Sequence, residues 1–540
     1  MDSVRNMGNS EQEFSLLLTL SKEDPLYEKK RKLLDARGFD HDIRFFLSSS
    51  HATFKSFISA ARIIEMDEAE LYFAGVDVLQ PVDFYSPTNE LKSLNSLLSH
   101  IDFSLNSALS NKMEQLLRQL KGETVDVIRV YGDKNRDEAK IETCNCRAEN
   151  LLLQWGKEHG LKTKLQIAHV EGAGRGAVAV EDLTIGDTVL EIPESIIISE
   201  EHVYVSEMFE ILKRMDDISA ETMLLLWSMK ERHNPESKFK FYFDTLPKTF
   251  NTGLDFGVEA LTALEGTLLF DEIIQAKEHL RSQYDTLCPL LCRDHPDVFQ
   301  PEFYSWDQFL WACELWYSNS MKVIFTDGKL RTCLVPFAGL LNHSLCPHVL
   351  HYGRVTSSTK SLKFALSRPC RGGDQCYLSY GNFSGSHLIT FYGFLPKGNN
   401  FYDVIPMEID VPQADDSGNH DWTTHMVRGT WLSSNHEILN YGLPPTLLNY
   451  LRSALKDAEQ PKDSNINIDN EREVLETLYS IFNPMMEGHG DPDNPHWESP
   501  SWDVKLALEY KDLERRIISS VLQSCLTGLE MLQLIESKHQ

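Results

Sequence analysis

Apolar residues recur at intervals of three and four positions along residues 91–120, near the end of the first quarter of the chain. The positions are Leu91, Leu94, Leu98, Ile101, Leu105, Leu109, Met113, Leu116, Leu117 and Leu120. This spacing predicts helices with one apolar face, which is a packing surface and implies no chemistry. Residues 124–131 are compatible with a short strand, and the charged residues 133–142 with a linker. We therefore expect residues 1–146 to be a helix-rich extension of unknown role.

The pattern changes after residue 146. Residues 147–162 predict an amphipathic helix that stops near Gly160. Gly172, Gly174 and Ala177 then fit G-x-G-x-x-A, a dinucleotide-binding pattern that requires a helix to follow. The chain instead alternates apolar and small residues through residue 180 and resumes as a strand at residues 188–192. These are β signals, so we reject a dinucleotide-binding fold.

Helical spacing returns over residues 200–325, and two mixed blocks follow between residues 333 and 394. The first block is an apolar run that ends at Asn342, His343 and Ser344. A polar pair at such a point either satisfies backbone groups or faces a ligand, and the residues alone leave both open. The second block is an alternating strand, a glycine-rich loop and an apolar run that ends with Tyr392 and Gly393. The glycine allows a tight turn that presents the phenol.

Residues 402–540 contain helix starts, turns and a final apolar stripe over residues 503–535, separated by loops rich in Pro, Gly, Asp and Asn. His489, Asp491, Asp493 and His496 in one of these loops could suggest a metal site. Because the loop lacks helical ligand spacing, and the cysteines show no zinc pattern, we predict no metal.

Composition narrows the function classes. The chain has 540 residues and a formal net charge of −28, with 80 acidic against 52 basic residues. This balance argues against direct nucleic-acid binding and is compatible with a basic peptide as substrate. No membrane-spanning stretch or targeting segment stands out, so we expect an intracellular protein of the cytoplasm, nucleus or chloroplast, with its ten cysteines reduced. We expect a monomer.

The order of the two blocks resembles the SET-domain protein methyltransferases of the Rubisco large-subunit lysine methyltransferase-like class. The matching motifs are Asn342-His343-Ser344, Gly373-Asp374-Gln375, Tyr380-Gly381, Leu388-Ile389 and Tyr392-Gly393-Phe394, with Gly174-Arg175-Gly176 upstream. The resemblance implies an α+β fold. A SET core of small β-sheets would occupy residues 147–401, with a helical insert at about 200–325. An all-helical substrate-binding domain would occupy residues 402–540.

The resemblance also implies a site. The cofactor would be S-adenosyl-L-methionine, and the partner a protein substrate that carries the target lysine. The catalytic residues would be Tyr392 and, with looser alignment, Tyr352. The cofactor-binding residues would be Gly174, Arg175, Gly176, Asn342, His343 and Tyr380.

Two positions depart from the family pattern. Asn319 stands where the family usually has an arginine that holds the cofactor carboxylate, and an amide cannot supply a guanidinium fork. Gly385 replaces a more usual asparagine. These departures support one alternative, a catalytically weak or inactive SET-fold protein-binding module. A second alternative, which the resemblance itself implies because some relatives methylate histidine, is a protein-histidine methyltransferase. A serine hydrolase is disfavoured because no G-x-S-x-G motif occurs.

Overall fold

The structure, a computed structural model, describes residues 15–40, 42–47, 51–74, 86–108, 110–136, 139–143, 146–215, 218–407, 422, 424–455, 467–490 and 499–539. The chain divides into two compact units. One comprises Met1–Asp137 with Pro444–Thr446, and the other comprises Glu138–Leu443 with Leu447–Gln540. Residues 402–540, predicted as a separate domain, therefore lie almost entirely in the same unit as residues 147–401. Asp491, Asp493 and His496 lie outside the described residues.

The first unit is a short β-hairpin followed by helices. Its described strands are β1 (Ser15–Thr19) and β2 (Asp42–Phe46), which pair antiparallel, and its described helices are α1 (Tyr27–Ala36), α2 (His51–Glu65), α3 (Glu68–Ala74), α4 (Pro87–Asn106) and α5 (Asn111–Lys134). The side chain of Ser86 caps α4 by accepting the amide of Asn89. Leu91, Leu94 and Ile101 of α4 are fully buried, so the predicted apolar stripe is a packing face.

The predicted strand at residues 124–131 is wrong, because these residues lie inside α5. Within residues 124–131, the fully buried side chains are Thr124 and Ile128, which are four residues apart. This is the spacing of a helix rather than the alternation of a strand. The packing of α5 against α4 therefore overrides the local preference of the β-branched residues.

Small sheets form the β part of the second unit. The described strands are β3 (Ile141–Thr143), β4 (Lys162–Thr163), β5 (Leu165–Val170), β6 (Gly174–Ala179), β7 (Thr188–Pro193), β8 (Ser320–Ile324), β9 (Leu330–Leu334), β10 (Val355–Thr356), β11 (Ser361–Ala365), β12 (Val404–Met407) and β13 (His425–Arg428). Their orders are β3-β5-β6, β10-β11-β7-β4, β8-β9 and β12-β13. Every named pair is antiparallel.

The described helices after residue 146 complete this unit. They are α6 (Arg147–Glu158), α7 (Glu200–Tyr204), α8 (Phe209–Leu212), α9 (Ala220–Glu231), α10 (Lys240–Phe243), α11 (Val258–Ala263), α12 (Leu268–Asp294), α13 (Trp306–Asn319), α14 (Gly385–Tyr392), α15 (Pro445–Ala454), α16 (Ile468–Gly488) and α17 (Trp502–His539). Helices α7 to α13 lie between β7 and β8, which is where the insert was predicted. The α+β class is confirmed.

The all-helical prediction for residues 402–540 is wrong in one detail. Strands β12 and β13 pair there, with Ile405 opposite Val427. Ile405 and Met407 are buried and alternate with the exposed Pro406. This two-residue period is that of a half-buried strand.

One helix in the described part of the chain, α17, is long and apolar enough to cross a membrane by length and composition alone. The same composition occurs in helices that lie in a protein core. Helix α17 packs against α16 and α11, and it buries Val504, Ile518 and Val521 completely. Its apolar face is therefore a packing surface within the second unit.

A single core connects the sheets to the helical insert. It contains Val189 of β7, Phe364 of β11, Leu226 of α9 and Leu315 of α13, each of them fully buried. Strand β9 leaves this core at Leu334 and leads into the Asn-His-Ser segment. The core thus holds rigidly the strands from which the candidate site emerges.

Candidate active site

The glycine-rich hairpin between β5 and β6 forms one side of the candidate site. Gly172 and Gly174 have φ angles of +77° and +71°, a left-handed conformation that glycine adopts without strain. Gly176 is needed for a different reason. A Cβ on Gly176 would lie 2.5 Å from Oε1 of Gln375 and 3.1 Å from Nδ2 of Asn342. The backbone of β6 therefore approaches these two amides too closely for any side chain.

Asn342 ties three chain segments together. Its Nδ2 donates to the backbone oxygen of Arg175, at 3.0 Å, and to Oε1 of Gln375, at 2.5 Å. Its own backbone oxygen accepts the amide of Leu378 at 2.9 Å. Gln375 in turn donates to the hydroxyl of Tyr377 at 2.7 Å. Both protons of the Asn342 amide are thus used within the protein, which leaves its Oδ1 and the surrounding backbone for a ligand.

The guanidinium of Arg175 is held by the helical insert. Its Nη1 donates to the backbone oxygen of Thr245 at 2.5 Å and lies 4.0 Å from Oε1 of Glu149. It is also close enough to the buried phenol of Tyr242 to oppose the rise in that group's pKa that burial causes. Residue 175 therefore reaches the site through its backbone, while its side chain anchors the hairpin to α6 and to the end of α10.

His343 links the two blocks of the motif. Its Nδ1 accepts the backbone amide of Tyr380 at 3.1 Å, and its ring lies 5.3 Å from that of Tyr380. Burial lowers the pKa of His343 to about 4. The imidazole is therefore neutral near pH 7 and acts as a structural hydrogen-bond acceptor.

Three tyrosines form the other side of the candidate site. Tyr352 donates its hydroxyl to the backbone oxygen of Ser379 at 2.9 Å, and Tyr380 donates to that of Leu341 at 3.0 Å. The rings of Tyr380 and Tyr392 stack with centroids 5.1 Å apart. In the part of the chain that the structure describes, the hydroxyl of Tyr392 makes no hydrogen bond. It is the one phenol of the three that is left open to an incoming group.

Burial of these three tyrosines keeps their phenols protonated. It raises the pKa of Tyr352 to about 12, with a smaller contribution from the neighbouring Tyr392. Burial also raises the pKa of Tyr392 and of Tyr380 above the ordinary value. All three hydroxyls are therefore neutral hydrogen-bonding groups near pH 7, and none of them is a phenolate base.

Helix α14 sets the position of Tyr392. Ser384 caps its N-terminus, and the helix ends at Tyr392 because Gly393 takes a left-handed φ of +76°. A Cβ on Gly393 would lie 2.1 Å from the backbone oxygen of Asn251, so the turn admits only glycine. The ring of Phe383 lies 6.1 Å from that of Tyr392. Aromatic neighbours of this kind exclude water from the phenol.

The structure shows the contacts of Asn319 and Gly385, the two residues that depart from the family pattern. The Nδ2 of Asn319 donates to the hydroxyl of Ser318 at 2.7 Å, so no guanidinium stands there. Lys322, a conceivable substitute cation, is exposed on β8. Gly385 donates its amide to the buried carboxyl of Asp403 at 2.6 Å, and a Cβ there would lie 3.0 Å from that carboxyl. Glycine at 385 therefore serves the start of α14.

A continuous path of contacts joins the predicted residues. It runs from the backbone of Arg175 to Asn342, through the adjacent His343 to Tyr380, and by ring stacking to Tyr392. Tyr352 joins at the tyrosine end, and Gly174 and Gly176 join at the hairpin end. Sequence reasoning had quoted Gln375 within a motif but missed its role as the partner of the Asn342 amide. The side-chain amides of Gln375 and Asn342 are 33 residues apart in the sequence, so only the three-dimensional structure shows that they are hydrogen-bonded.

The structure also places three possible metal ligands together where we predicted no metal. Among the described residues, one atom each of His348, Cys370 and Cys376 lies within 4.8 Å of the others, and all three residues are buried.

A family model described as Rubisco LSMT substrate-binding matches residues 21–136. This match falls within the first unit, to which the sequence analysis gave no role. It lies at the other end of the chain from residues 402–540, where we had expected this resemblance.

Over about half of its length the chain is also similar to known methyltransferases. A chloroplastic ribulose-1,5-bisphosphate carboxylase/oxygenase large-subunit N-methyltransferase of Nicotiana tabacum is 25% identical over 296 residues, which cover 52% of this chain and 57% of the relative. An actin-histidine N-methyltransferase of Gallus gallus is 23% identical over 275 residues, 49% of this chain and 45% of the relative. The chain thus spans about half the length of these curated relatives.

A solved structure shows the same fold. The structure of Rubisco LSMT bound to sinefungin and monomethyllysine has a TM-score of 0.55 and 19% identity, and the match covers 72% of this chain and 93% of that one.

Proposed function

We propose that this chain, a SET-domain protein similar to the Rubisco large-subunit methyltransferases, transfers methyl groups from S-adenosyl-L-methionine to a lysine side chain of a protein substrate. The observation that carries the proposal is the hydroxyl of Tyr392. It has no hydrogen-bond partner among the described residues, although it lies in a cluster whose two other phenols are tied to backbone oxygens. Tyr392 is half-buried, and a hydroxyl without a partner inside the protein is available to orient an incoming amine.

The residues at the hairpin end fit the cofactor. Gly174 carries no side chain and has nothing within 4 Å of where its Cβ would stand, so the backbone of the turn is accessible to a ligand. The free Oδ1 of Asn342 and the backbone around His343 and Arg175 would hold the nucleoside part. The donor supplies an electrophilic methyl group on a sulfonium when bound. The missing guanidinium at Asn319 predicts weaker binding of the carboxylate than in the usual family pattern.

The target amine must lose a proton before it can attack the methyl group. Lysine has an ordinary pKa near 10.4, and removal from water disfavours its charged form. A channel bordered by Tyr352, Tyr380 and Tyr392 would provide such surroundings. The neutral phenol of Tyr392 accepts or donates one hydrogen bond and fixes the direction of the nitrogen lone pair. Alignment of the two reactants in one channel then supplies most of the rate acceleration.

The test combines binding and transfer. Purified full-length protein is titrated with S-adenosylhomocysteine by calorimetry, and transfer of labelled methyl groups to proteins of a cell extract is compared between wild type and Tyr392→Phe. We expect binding by both proteins, and a loss of transfer of about 10²-fold in the variant because the amine is misaligned. The unfolding free energy of the variant should change little, since no hydrogen bond within the protein is lost.

Tyr284→Phe is the matched control. Its hydroxyl also lacks a partner among the described residues, but its ring packs against Trp306 in the helical insert. This variant should keep full transfer activity. Folded wild-type protein that binds no S-adenosylhomocysteine, or a Tyr392→Phe variant with undiminished transfer, would contradict the proposal.

Histidine methylation is a second candidate, supported by the similarity to the actin-histidine N-methyltransferase of Gallus gallus. Imidazole has an ordinary pKa near 6.5, so most of it is already neutral at pH 7.5. Transfer to histidine would therefore level off above about pH 7.5, whereas transfer to lysine would continue to rise. Identification of the labelled residue by peptide mass spectrometry decides between the two.

A binding module without activity is the third candidate, and it rests on Asn319. It predicts that a captured partner protein is retained equally by wild type and Tyr392→Phe, with no label transferred by either.

A further inference from the structure

Two buried cysteines stand at the ends of one short turn. Cys370 and Cys376, 2% and 0% exposed, enclose the sequence Arg-Gly-Gly-Asp-Gln. Their sulfur atoms lie within 4.8 Å of each other. Cys288 and Cys292 of α12 are another pair close in sequence, but Cys370 and Cys376 differ from them in enclosing a glycine turn rather than one turn of a helix.

The turn is fixed at both ends to the same neighbouring segment. The amide of Cys376 donates to the backbone oxygen of Ala177 at 2.8 Å, and that of Cys370 donates to Leu183 at 3.1 Å. In the middle, Gly373 donates to Ala179 at 2.8 Å. These contacts hold the two sulfurs on one side of the turn and close together.

The geometry disfavours a metal as the ligand of these thiols, although His348 lies beside them. The Nδ1 of His348 accepts the backbone amide of Tyr377 at 3.1 Å. A neutral imidazole that accepts at Nδ1 carries its proton on Nε2, so neither nitrogen has a free lone pair. The guanidinium of Arg368 is also close enough to act on Cys376 electrostatically, and it would repel a cation. Two thiols alone fall short of the four ligands of a structural zinc site.

A reactant can reach the pair through the turn itself. Residues 371–373 are exposed, and they include Gly372 and Gly373, the second with a φ of +87°. The neighbouring thiol of Cys370 and burial together raise the pKa of Cys376, while the cation of Arg368 opposes that rise. Local opening of this glycine turn would expose the thiols to water and allow one of them to ionise.

We propose that Cys370 and Cys376 are a redox pair that forms a reversible disulfide when the protein meets a disulfide oxidant, either a small molecule or an oxidoreductase. One thiol loses its proton, and its thiolate attacks a sulfur of the oxidant. A mixed disulfide forms and one thiolate leaves. The second protein thiolate attacks the protein sulfur of this bond and releases the other half. Two protein thiols have then lost two electrons and two protons, and the oxidant has become two thiols.

The disulfide would act on the candidate site through Gln375, the residue next to Cys376. The two sulfurs, which lie within 4.8 Å of each other, must approach to about 2.0 Å, and this movement shifts the end of the turn. Gln375 holds Nδ2 of Asn342 at 2.5 Å, and Asn342 holds the backbone of Arg175. Oxidation therefore loosens the hairpin end of the site while Tyr392 stays in place. This consequence rests on the proposed function.

The experiment treats full-length wild-type protein with glutathione disulfide or with reduced dithiothreitol. Free thiols are alkylated before digestion, and the peptide that links Cys370 to Cys376 is sought by mass spectrometry. We expect this link in the oxidised sample only. Calorimetry should then show about tenfold weaker binding of S-adenosylhomocysteine to the oxidised protein, the effect of losing one hydrogen bond, and full recovery on reduction.

Two double variants complete the design. Cys370→Ala/Cys376→Ala should bind S-adenosylhomocysteine equally under both treatments, and Cys288→Ala/Cys292→Ala, which removes another close pair, should respond like wild type. The proposal would be overturned if both thiols of oxidised wild type could still be alkylated. It would also be overturned if the protein retained one Zn²⁺ per chain that protects both thiols. A disulfide without any change in affinity would overturn its action on the site. Absence of binding in every sample would count against the proposed function, while the linked peptide still decides the chemistry of the pair.

Discussion

The two ends of the candidate site are held in different ways. At the hairpin end, the amides of Asn342 and Gln375 and the backbone of Arg175 are hydrogen-bonded to one another within 3.0 Å. At the tyrosine end, Tyr352 and Tyr380 are tied to backbone oxygens, and the hydroxyl of Tyr392 is open. A change at the hairpin end should therefore alter stability and ligand binding together. At the tyrosine end, function and stability can be separated.

His343 connects the two ends, and acid should disrupt both together. Its pKa is about 4 in the folded protein and near 6.5 when unfolded, so only the unfolded chain takes up a proton between these values. Its contribution to stability is present above pH 6.5 and is lost as the pH falls towards 4. Over this window the free energy of unfolding should drop by about 3 kcal/mol, measured by urea denaturation at several pH values.

His343→Asn supplies the test of this pH effect, because its amide oxygen can take the place of Nδ1 as acceptor for Tyr380. The variant should lose the part of the dependence between pH 6.5 and 4 that His343 contributes, about 3 kcal/mol, whereas the part contributed by His348, whose pKa burial also lowers, should remain. The exposed His100→Asn is the control and should retain the wild-type dependence. An unchanged pH profile in His343→Asn would show that His343 is not the group responsible.

Gly176→Ala should disturb the packing at the hairpin end and leave the tyrosine end unchanged. The added Cβ would stand 2.5 Å from Oε1 of Gln375 and 2.8 Å from Cγ2 of Val170. Overpacking of this kind costs about 2 kcal/mol of unfolding free energy, and the shift of Gln375 should also weaken binding of S-adenosylhomocysteine. Chemical denaturation and calorimetry measure the two effects.

Gly122→Ala is a control of the opposite sign. Gly122 lies within α5 and has nothing within 4 Å of the position of a Cβ, so alanine should stabilise this helix by about 0.8 kcal/mol. If Gly176→Ala were as well tolerated as Gly122→Ala, the close approach at the hairpin would be refuted.

At the tyrosine end, Tyr352→Phe should lower the free energy of unfolding by a smaller amount than Gly176→Ala does at the hairpin end. Its hydroxyl donates to Ser379, so the variant should lose about 1 kcal/mol of unfolding free energy. Tyr392→Phe breaks no such bond and should be close to wild type by the same denaturation measurement. Equal losses in both variants would mean that Tyr392 has a structural partner and would remove the main support for its proposed role.

The motif residues could be predicted from the sequence because each has a strong local constraint. Gly393 must turn, Tyr392 precedes it, and the polar pair of Asn342 and His343 ends an apolar run. The roles assigned to these residues remain predictions, but the contact path between them exists in the fold. The strand expected at residues 124–131 failed because tertiary packing on α4 outweighs a weak local preference.

Other features depend on contacts between distant segments. The pairing of Gln375 with Asn342 spans 33 residues, and that of Asn342 with Arg175 spans 167. The sequence alone gave no reason to pair Cys370 with Cys376. Backbone hydrogen bonds from their turn to Ala177 and Ala179 of β6, and to Leu183 beyond it, bring the two thiols near each other and near His348.

The sequence by itself determined the motif residues to which we assign the chemistry and the α+β alternation that surrounds them, since both depend on short-range steric and periodic constraints. The tertiary structure alone decided which polar atoms are already satisfied. Tyr352, Tyr380 and Tyr392 are alike in sequence, and only the fold brings a backbone oxygen to two of their hydroxyls and leaves the third open. Hydrogen-bond satisfaction is a property of all the groups that surround an atom, and these come from segments that only folding brings together.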